Sequence, residues 1–161
     1  MAYNYGKKFE DVVREAFEKV PDVSIDRLHD QTTKFKGTSA NICDFIVYRE
    51  PYEYYFECKS VHGASLPFSN ITETQWQGLF EKSKIEGVYA GIICWWVDKD
   101  VTKFIPIQLL QAMKEHNMKS IRYDFILFGK DCCTEIKGKK KRVFFDYDME
   151  SFLNEFNGCI K

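Results

Sequence analysis

Three charged residues interrupt two otherwise apolar runs. Asp44 stands within Ile42-Cys-Asp-Phe-Ile-Val47, and Glu57 and Lys59 stand within Tyr54-Tyr-Phe-Glu-Cys-Lys59. Burying a carboxylate without a partner costs several kcal/mol, so these groups need one another or an ion. If the two runs form an antiparallel hairpin with an even turn centred between Glu50 and Pro51, Asp44 lies opposite Glu57. Opposed residues share a face with Cβ atoms about 5 Å apart. Lys59, two residues on, projects to that same face. An odd turn without a compensating bulge would turn Asp44 to the other face.

Two hard oxygen ligands held that close suit Mg²⁺, which keeps several waters and accepts phosphate oxygen as a further ligand. Such an ion acidifies water and stabilises the charge that develops in phosphoryl transfer. Lys59 beside it would orient the water or spread that charge. Phosphodiester hydrolysis is the chemistry these parts suit best. A structural salt bridge between Lys59 and one carboxylate is the plainer alternative.

Two further residues can join the group. Glu10 borders the apolar stripe of an N-terminal helix and can face the sheet edge, or it can be an exposed residue paired with Arg14. Gln75 falls in the first turns of a second helix, where its amide could meet phosphate or the attacking water, or could serve only as a capping-box partner.

The elements that must position them follow from periodicity. Phe9, Val12, Val13, Ala16, Phe17 and Val20 recur at helical spacing, so residues 4–20 form an amphipathic helix ended by Pro21-Asp22. A short strand is expected at 23–28, a polar loop at 29–41, strands at 42–49 and 53–60, and a loop at 61–70. Asn70-x-x-Glu73 and Thr72-x-x-Gln75 both resemble capping boxes for a helix that ends near Gly87, a candidate C′ glycine. The continuous apolar run 88–97 predicts a central strand, followed by strands near 103–105, 121–128 and 142–147 and helices over 107–116 and 149–156. One α/β domain over 1–161 is expected.

Bulk composition agrees. Hydrophobic content of 45% in 161 residues provides an ample core and argues against disorder. No apolar run approaches the ~20 residues that span a bilayer, and Met1 to Lys8 lacks a signal-peptide core, so a cytoplasmic protein with no membrane partner is expected. The six cysteines form no Cys-x-x-Cys and do not cluster with His29, His62 or His116. They read as reduced structural thiols. Net charge is −1, so a polyanionic partner must be met by local charge. Lys137 to Arg142 is a basic run, and Lys34 and Lys36 sit in an acid-poor loop, although such runs are often only solvated turns. Arg27 could face a phosphate backbone, or pair with Asp26 or Asp30 to hold the loop. Tyr3, Tyr5 and Trp76 are candidates for a subunit surface or for the core.

Taken together, Glu10, Asp44, Glu57-Cys-Lys59 and Gln75 resemble the PD-(D/E)XK nuclease superfamily, and within it the RecU-like Holliday junction resolvases, including phage-encoded relatives. The likeness is carried by Phe56-Glu-Cys-Lys-Ser60, Ser65-Leu-Pro-Phe-Ser-Asn-Ile71 with Gln75, Gly87 and its strand, Phe104-Ile-Pro-Ile107 and Lys119-Ser-Ile-Arg-Tyr123, over residues 6–125. It implies a restriction-endonuclease-like core, a mixed central β-sheet flanked by helices. It also implies Mg²⁺ or Mn²⁺ on Asp44, Glu57 and the Cys58 carbonyl, a catalytic Lys59, an auxiliary acid in Glu10 and a positioning Gln75. The implied activity is structure-selective cleavage of branched DNA by a homodimer acting on four-way junctions, in a bacterial or phage-infected cell. Arg27, Lys34, Lys36, Lys139, Lys140, Lys141 and Arg142 are the candidate DNA contacts. RecU-like proteins carry a long insertion before the metal aspartate, where this chain has only residues 29–41. Cys43 stands where the superfamily name has proline. A restriction-like or repair nuclease on duplex or flap DNA, and a non-catalytic DNA-binding module, are the alternative readings.

Overall fold

In the computed structural model, which describes residues 4–28 and 41–160, the apolar stripe of the first helix and the alternation of the strands meet in one layered core. Helix α1 (Tyr5–Glu18) starts where the Asn4 side chain accepts the Lys7 N–H at 3.1 Å, and it buries Phe9, Val13, Ala16 and Phe17. Strand β1 (Ser24–Arg27) pairs antiparallel with β2 (Phe45–Arg49), which pairs antiparallel with the long β3 (Tyr52–Val61). The β2–β3 ladder runs from Arg49↔Tyr52 to Phe45↔Phe56 around a two-residue turn at Glu50-Pro51, whose peptide bond is cis. That is the even register expected from the sequence.

After β3 come β4 (Ser65–Pro67), a short 3₁₀ turn at Phe68–Asn70, helix α2 (Glu73–Ser83) and β5 (Val88–Trp96). β5 lies parallel to β3 and is buried along nearly its whole length, as its unbroken apolar run requires. Strand β6 (Val101–Pro106) returns antiparallel, helix α3 (Ile107–Glu115) follows, and β7 (Ser120–Arg122) pairs with β4. The chain then adds β8 (Thr134–Glu135), the hairpin of β9 (Gly138–Lys140) and β10 (Phe145–Tyr147), and helix α4 (Met149–Ile160). The main sheet has the order β1-β2-β3-β5-β6-β8 and combines the parallel β3–β5 pair with antiparallel pairs, so it is mixed.

Even-numbered residues of β3, such as Tyr54, Phe56 and Cys58, join α1 and α4 in one core; Phe17 stacks on Phe56 at 5.5 Å. Odd-numbered residues, such as Tyr55 and Val61, join α2 and α3 in the other. The sheet is therefore covered on both faces. None of the helices is long and apolar enough to cross a membrane among the described residues.

Some sequence expectations are corrected. The segment 121–128 is a strand only as far as Arg122; beyond it the chain makes a tight turn at Leu127–Lys130. α2 stops at Ser83, and Gly87 (φ +78°) lies in the turn into β5 rather than at the helix end. Trp76 is core, 4% exposed, and its indole N–H donates to Gln111 Oε1 at 2.7 Å, so it offers no subunit surface. Tyr5 packs edge-on against His62 and beside Trp95 and Phe144, while Tyr3 lies outside the described residues.

Candidate active site

Asp44 sits immediately before β2 and is tied to both neighbouring strands. Its N–H donates to Phe56 O at 3.1 Å, and its carbonyl accepts the Leu28 N–H at 2.8 Å. Its carboxylate accepts the Cys58 N–H at 2.8 Å, an amide of β3 that points to an edge β2 no longer occupies. A strand residue directs its N–H and C=O to the same edge, so the Cys58 carbonyl faces the Asp44 side as well.

Glu57 lies on the α2 face and is only 4% exposed. Lys59 Nζ stands 2.8 Å from Glu57 Oε1, and Gln75 Nε2 donates to that same oxygen at 2.8 Å. Gln75 Oε1 in turn accepts from Lys59 Nζ at 3.3 Å. The position of Gln75 is set by the helix start. Thr72 is the N-cap: its hydroxyl accepts the Gln75 N–H at 3.2 Å, and Gln75 Oε1 accepts the Thr72 N–H at 3.1 Å. Of the two capping boxes visible in the sequence, the Thr72 one forms, and its glutamine both closes the helix end and reaches the acids.

Electrostatics mark this cluster as short of positive charge. Burial, then the neighbouring Glu57 charge, push the Asp44 carboxyl up to about 7. Glu57 is also raised by burial, although Lys59 opposes the shift, and the two carboxyls hydrogen-bond to each other. Glu10 is half-buried and raised as well, by burial and then by the Asp44 charge. Three acids within electrostatic reach of one another thus share Lys59 and Arg27 as counter-charges. The nearby thiols are inert: burial lifts Cys43 to about 12 and Cys58 well above its ordinary value, so neither supplies a nucleophile at neutral pH. Cys43, Cys58, Cys94, Cys132 and Cys133 are all free.

The donor set fits a hard divalent cation. It consists of carboxylate and carbonyl oxygen, and its carboxyls are raised in the way a nearby positive charge would reverse. Among the described residues no group of three or more His, Cys, Asp or Glu side chains is arranged to hold a metal. Asp44 and Glu57 would therefore provide two side-chain ligands, leaving the remainder to backbone, water and substrate oxygen, the pattern Mg²⁺ accepts.

The structure redirects two of the other sequence candidates. Glu10 pairs with Arg27 (3.0 Å) and not with Arg14, which binds Glu18 at 3.1 Å. Arg27 is forked between Glu10 and Asp11, at 3.0 Å each, so its guanidinium faces neither solvent phosphate nor Asp26. It braces α1 against the end of β1 and keeps Glu10 near the cluster. Lys34, Lys36, His29 and Asp30 lie outside the described residues. Lys139, Lys140, Lys141 and Arg142 are exposed on the β9–β10 hairpin, which packs on the α1 side of the sheet, whereas Glu57 and Lys59 project to the α2 side. Lys140 is ion-paired to Asp100.

Gly78 is the site residue the sequence reading passed over. A Cβ there would lie 2.2 Å from Ile42 Cγ2 and 2.6 Å from Ile42 Cβ. Its absence lets the segment leading into Asp44 lie on α2, the helix that carries Gln75. A glycine in the middle of an exposed-pattern helix was the available signal.

No family model matches this chain, and no curated protein sequence matches it. Among solved structures it is similar to Hjc of Archaeoglobus fulgidus, described as a Holliday junction resolvase from an archaeal hyperthermophile. In that comparison 18% of residues are identical, 64% of this chain and 78% of that chain are covered, and the TM-score is 0.45.

Proposed function

We propose that this protein is a Mg²⁺-dependent endodeoxyribonuclease that hydrolyses phosphodiester bonds in branched DNA, of the Holliday junction resolvase type. The observation that carries the reading is the half-buried Asp44 hydrogen-bonded to the buried Glu57, with Lys59 and Gln75 on the same Glu57 oxygen. A purely structural salt bridge accounts for Lys59 and Glu57 but leaves unexplained a second acid, Asp44, brought against Glu57 in the same place.

Asp44 and Glu57, with the Cys58 carbonyl, would hold the cation, which supplies an acidified water and a counter-charge for the phosphate when bound. In the reaction one P–O bond forms from water and the P–O bond to a sugar oxygen breaks. Lys59 donates to the attacking water or to a non-bridging phosphate oxygen, offsetting charge as it develops. Gln75 fixes both Lys59 Nζ and the Glu57 carboxylate, so neither must reorganise during attack. Glu10, held by Arg27, keeps the negative field that favours a divalent ion. Exposed cations at Lys139, Lys141 and Arg142 would serve DNA arms by charge alone. Two copies of the site, in a homodimer, would place paired nicks across a junction.

The test is cleavage of a four-way junction, a matched linear duplex and a flap, each with Mg²⁺ or EDTA, alongside Asp44→Asn. Symmetric Mg²⁺-dependent nicks confined to the junction, lost in Asp44→Asn, are expected. Equal cutting of linear duplex would assign the protein to restriction-like or repair cleavage, and binding without cutting under any divalent metal would make it a binding module.

A further inference from the structure

Between β7 and β8 the chain places two aromatics inward and one fully outward. Tyr123 and Phe125 pack against the α2-side core, whereas Phe128 is 96% exposed, with Ile126 at 60% and Leu127 at 43%. Phe128 is held out by a two-residue turn: Leu127 N–H donates to Lys130 O at 2.8 Å, and Lys130 N–H to Leu127 O at 3.0 Å. Phe128 (φ +49°) and Gly129 (φ +73°) both take the left-handed backbone this turn demands. Asn, Asp or Gly suits such a position; a bulky aromatic is unfavourable there and gains nothing from packing. The stem is firm at both ends. Tyr123 N–H donates to Ala64 O at 3.0 Å, just beyond the strand bearing Glu57 and Lys59, and Asp131 is ion-paired to the buried Lys103 of β6.

We infer that the Phe128 turn is an apolar wedge that enters the opened base stack of branched DNA, a specificity element resting on the nuclease reading above. Charge around the stem favours a polyanion: Asp124 is taken by Arg122 and Asp131 by Lys103, while Lys99, over the Tyr123 ring at 5.3 Å, and the exposed Lys119 and Lys130 remain as cations. A second copy of the chain is a poorer occupant. Three side chains on one turn offer far less than the roughly 800 Å² per partner of a stable protein interface. A protruding ring suits stacking on, or insertion between, bases already unpaired at a branch.

Phe128→Asn tests this, because asparagine fits the backbone and keeps the turn. In an Asp44→Asn background, which holds cleavage off, affinity is measured for a four-way junction carrying 2-aminopurine at the branch and for a linear duplex. The wedge predicts that binding raises 2-aminopurine emission. Phe128→Asn should abolish the rise and weaken junction binding by about 5- to 150-fold, the range of one base–aromatic stack. Duplex affinity should stay unchanged, and Phe128→Tyr should restore the signal. Unchanged junction affinity and emission in Phe128→Asn would overturn the wedge while leaving the nuclease reading intact. Conversion of a wild-type dimer to a monomer by Phe128→Asn would assign the turn to self-association. Failure of the Phe128-bearing protein to bind any DNA would overturn both.

Discussion

Gln75 Nε2 and Lys59 Nζ converge on a single oxygen, Glu57 Oε1, each at 2.8 Å, and Gln75 spends its other amide atom on the Thr72 N–H that opens α2. The start of a helix and the orientation of a buried acid are therefore one hydrogen-bond network. Gln75→Ala should lower kcat by about 10- to 100-fold, by releasing Glu57 and Lys59 from their fixed geometry. It should lower stability by only about 1 kcal/mol, the usual worth of a capping contact. Steady-state kinetics with Mg²⁺ titration and a thermal melt separate the two effects. A melt that collapses with kcat per folded molecule unchanged would make Gln75 a cap alone.

The raised Asp44 carboxyl makes stability of the metal-free protein depend on pH in a defined direction. Its folded value, about 7, lies above its ordinary value of 3.8, so the folded state holds a proton the unfolded chain has lost. Stability therefore falls as pH rises from ~4 to ~7 and levels off above. Between pH 6 and 8 the loss is about 1.4 kcal/mol, or ~3–5 °C in Tm for a chain of this size. Melts in EDTA across that range should show this slope, and Asp44→Asn should flatten it and melt above wild type at pH 8. Saturating Mg²⁺ at pH 8 should recover the lost stability in wild type only.

Much of this architecture is legible in the sequence. The β2–β3 register, with Phe45 opposite Phe56, follows from an even turn at Glu50-Pro51, although the ladder ends one residue short of Asp44, whose N–H bonds Phe56 O instead. The positions of α1, α2, β3 and β5 follow from periodicity. Segment 61–70, read as a loop, and 121–128, read as a longer strand, did not yield the β4–β7 pair, since three-residue strands leave no pattern to read. The partner of Arg27 was illegible for another reason. Its acids, Glu10 and Asp11, lie on a helix 17 and 16 residues away, and only the packing of α1 on β1 brings them together. Gly78 showed no special role without Ile42 across from it.

That Gly78–Ile42 contact predicts a recoverable defect. Gly78→Ala drives its methyl into Ile42 and should cost about 1–3 kcal/mol while shifting the segment that carries Asp44, with activity reduced at least tenfold. Adding Ile42→Ala should restore activity more than stability. A double-mutant cycle with no coupling would show that the close approach does not position Asp44.

Salt dependence of DNA binding should sort the basic residues. Lys141→Ala combined with Arg142→Ala should reduce the slope of log K against log salt by about 1–2, as lost phosphate contacts do. Arg27→Ala should leave that slope unchanged and lower Tm instead, because its guanidinium is bound to Glu10 and Asp11. A slope reduced by Arg27→Ala alone would reverse that assignment.

Calorimetric titration of Mn²⁺ into the protein at pH 6.5 and 7.5, in buffers of different ionisation enthalpy, addresses the acid pair most directly. One class of site is predicted, with proton release greater at pH 6.5 because the Asp44 carboxyl must ionise to bind, and with binding lost in both Asp44→Asn and Glu57→Gln. Binding of undiminished affinity in those two variants, or no binding by the wild-type protein in the presence of DNA, would contradict the account.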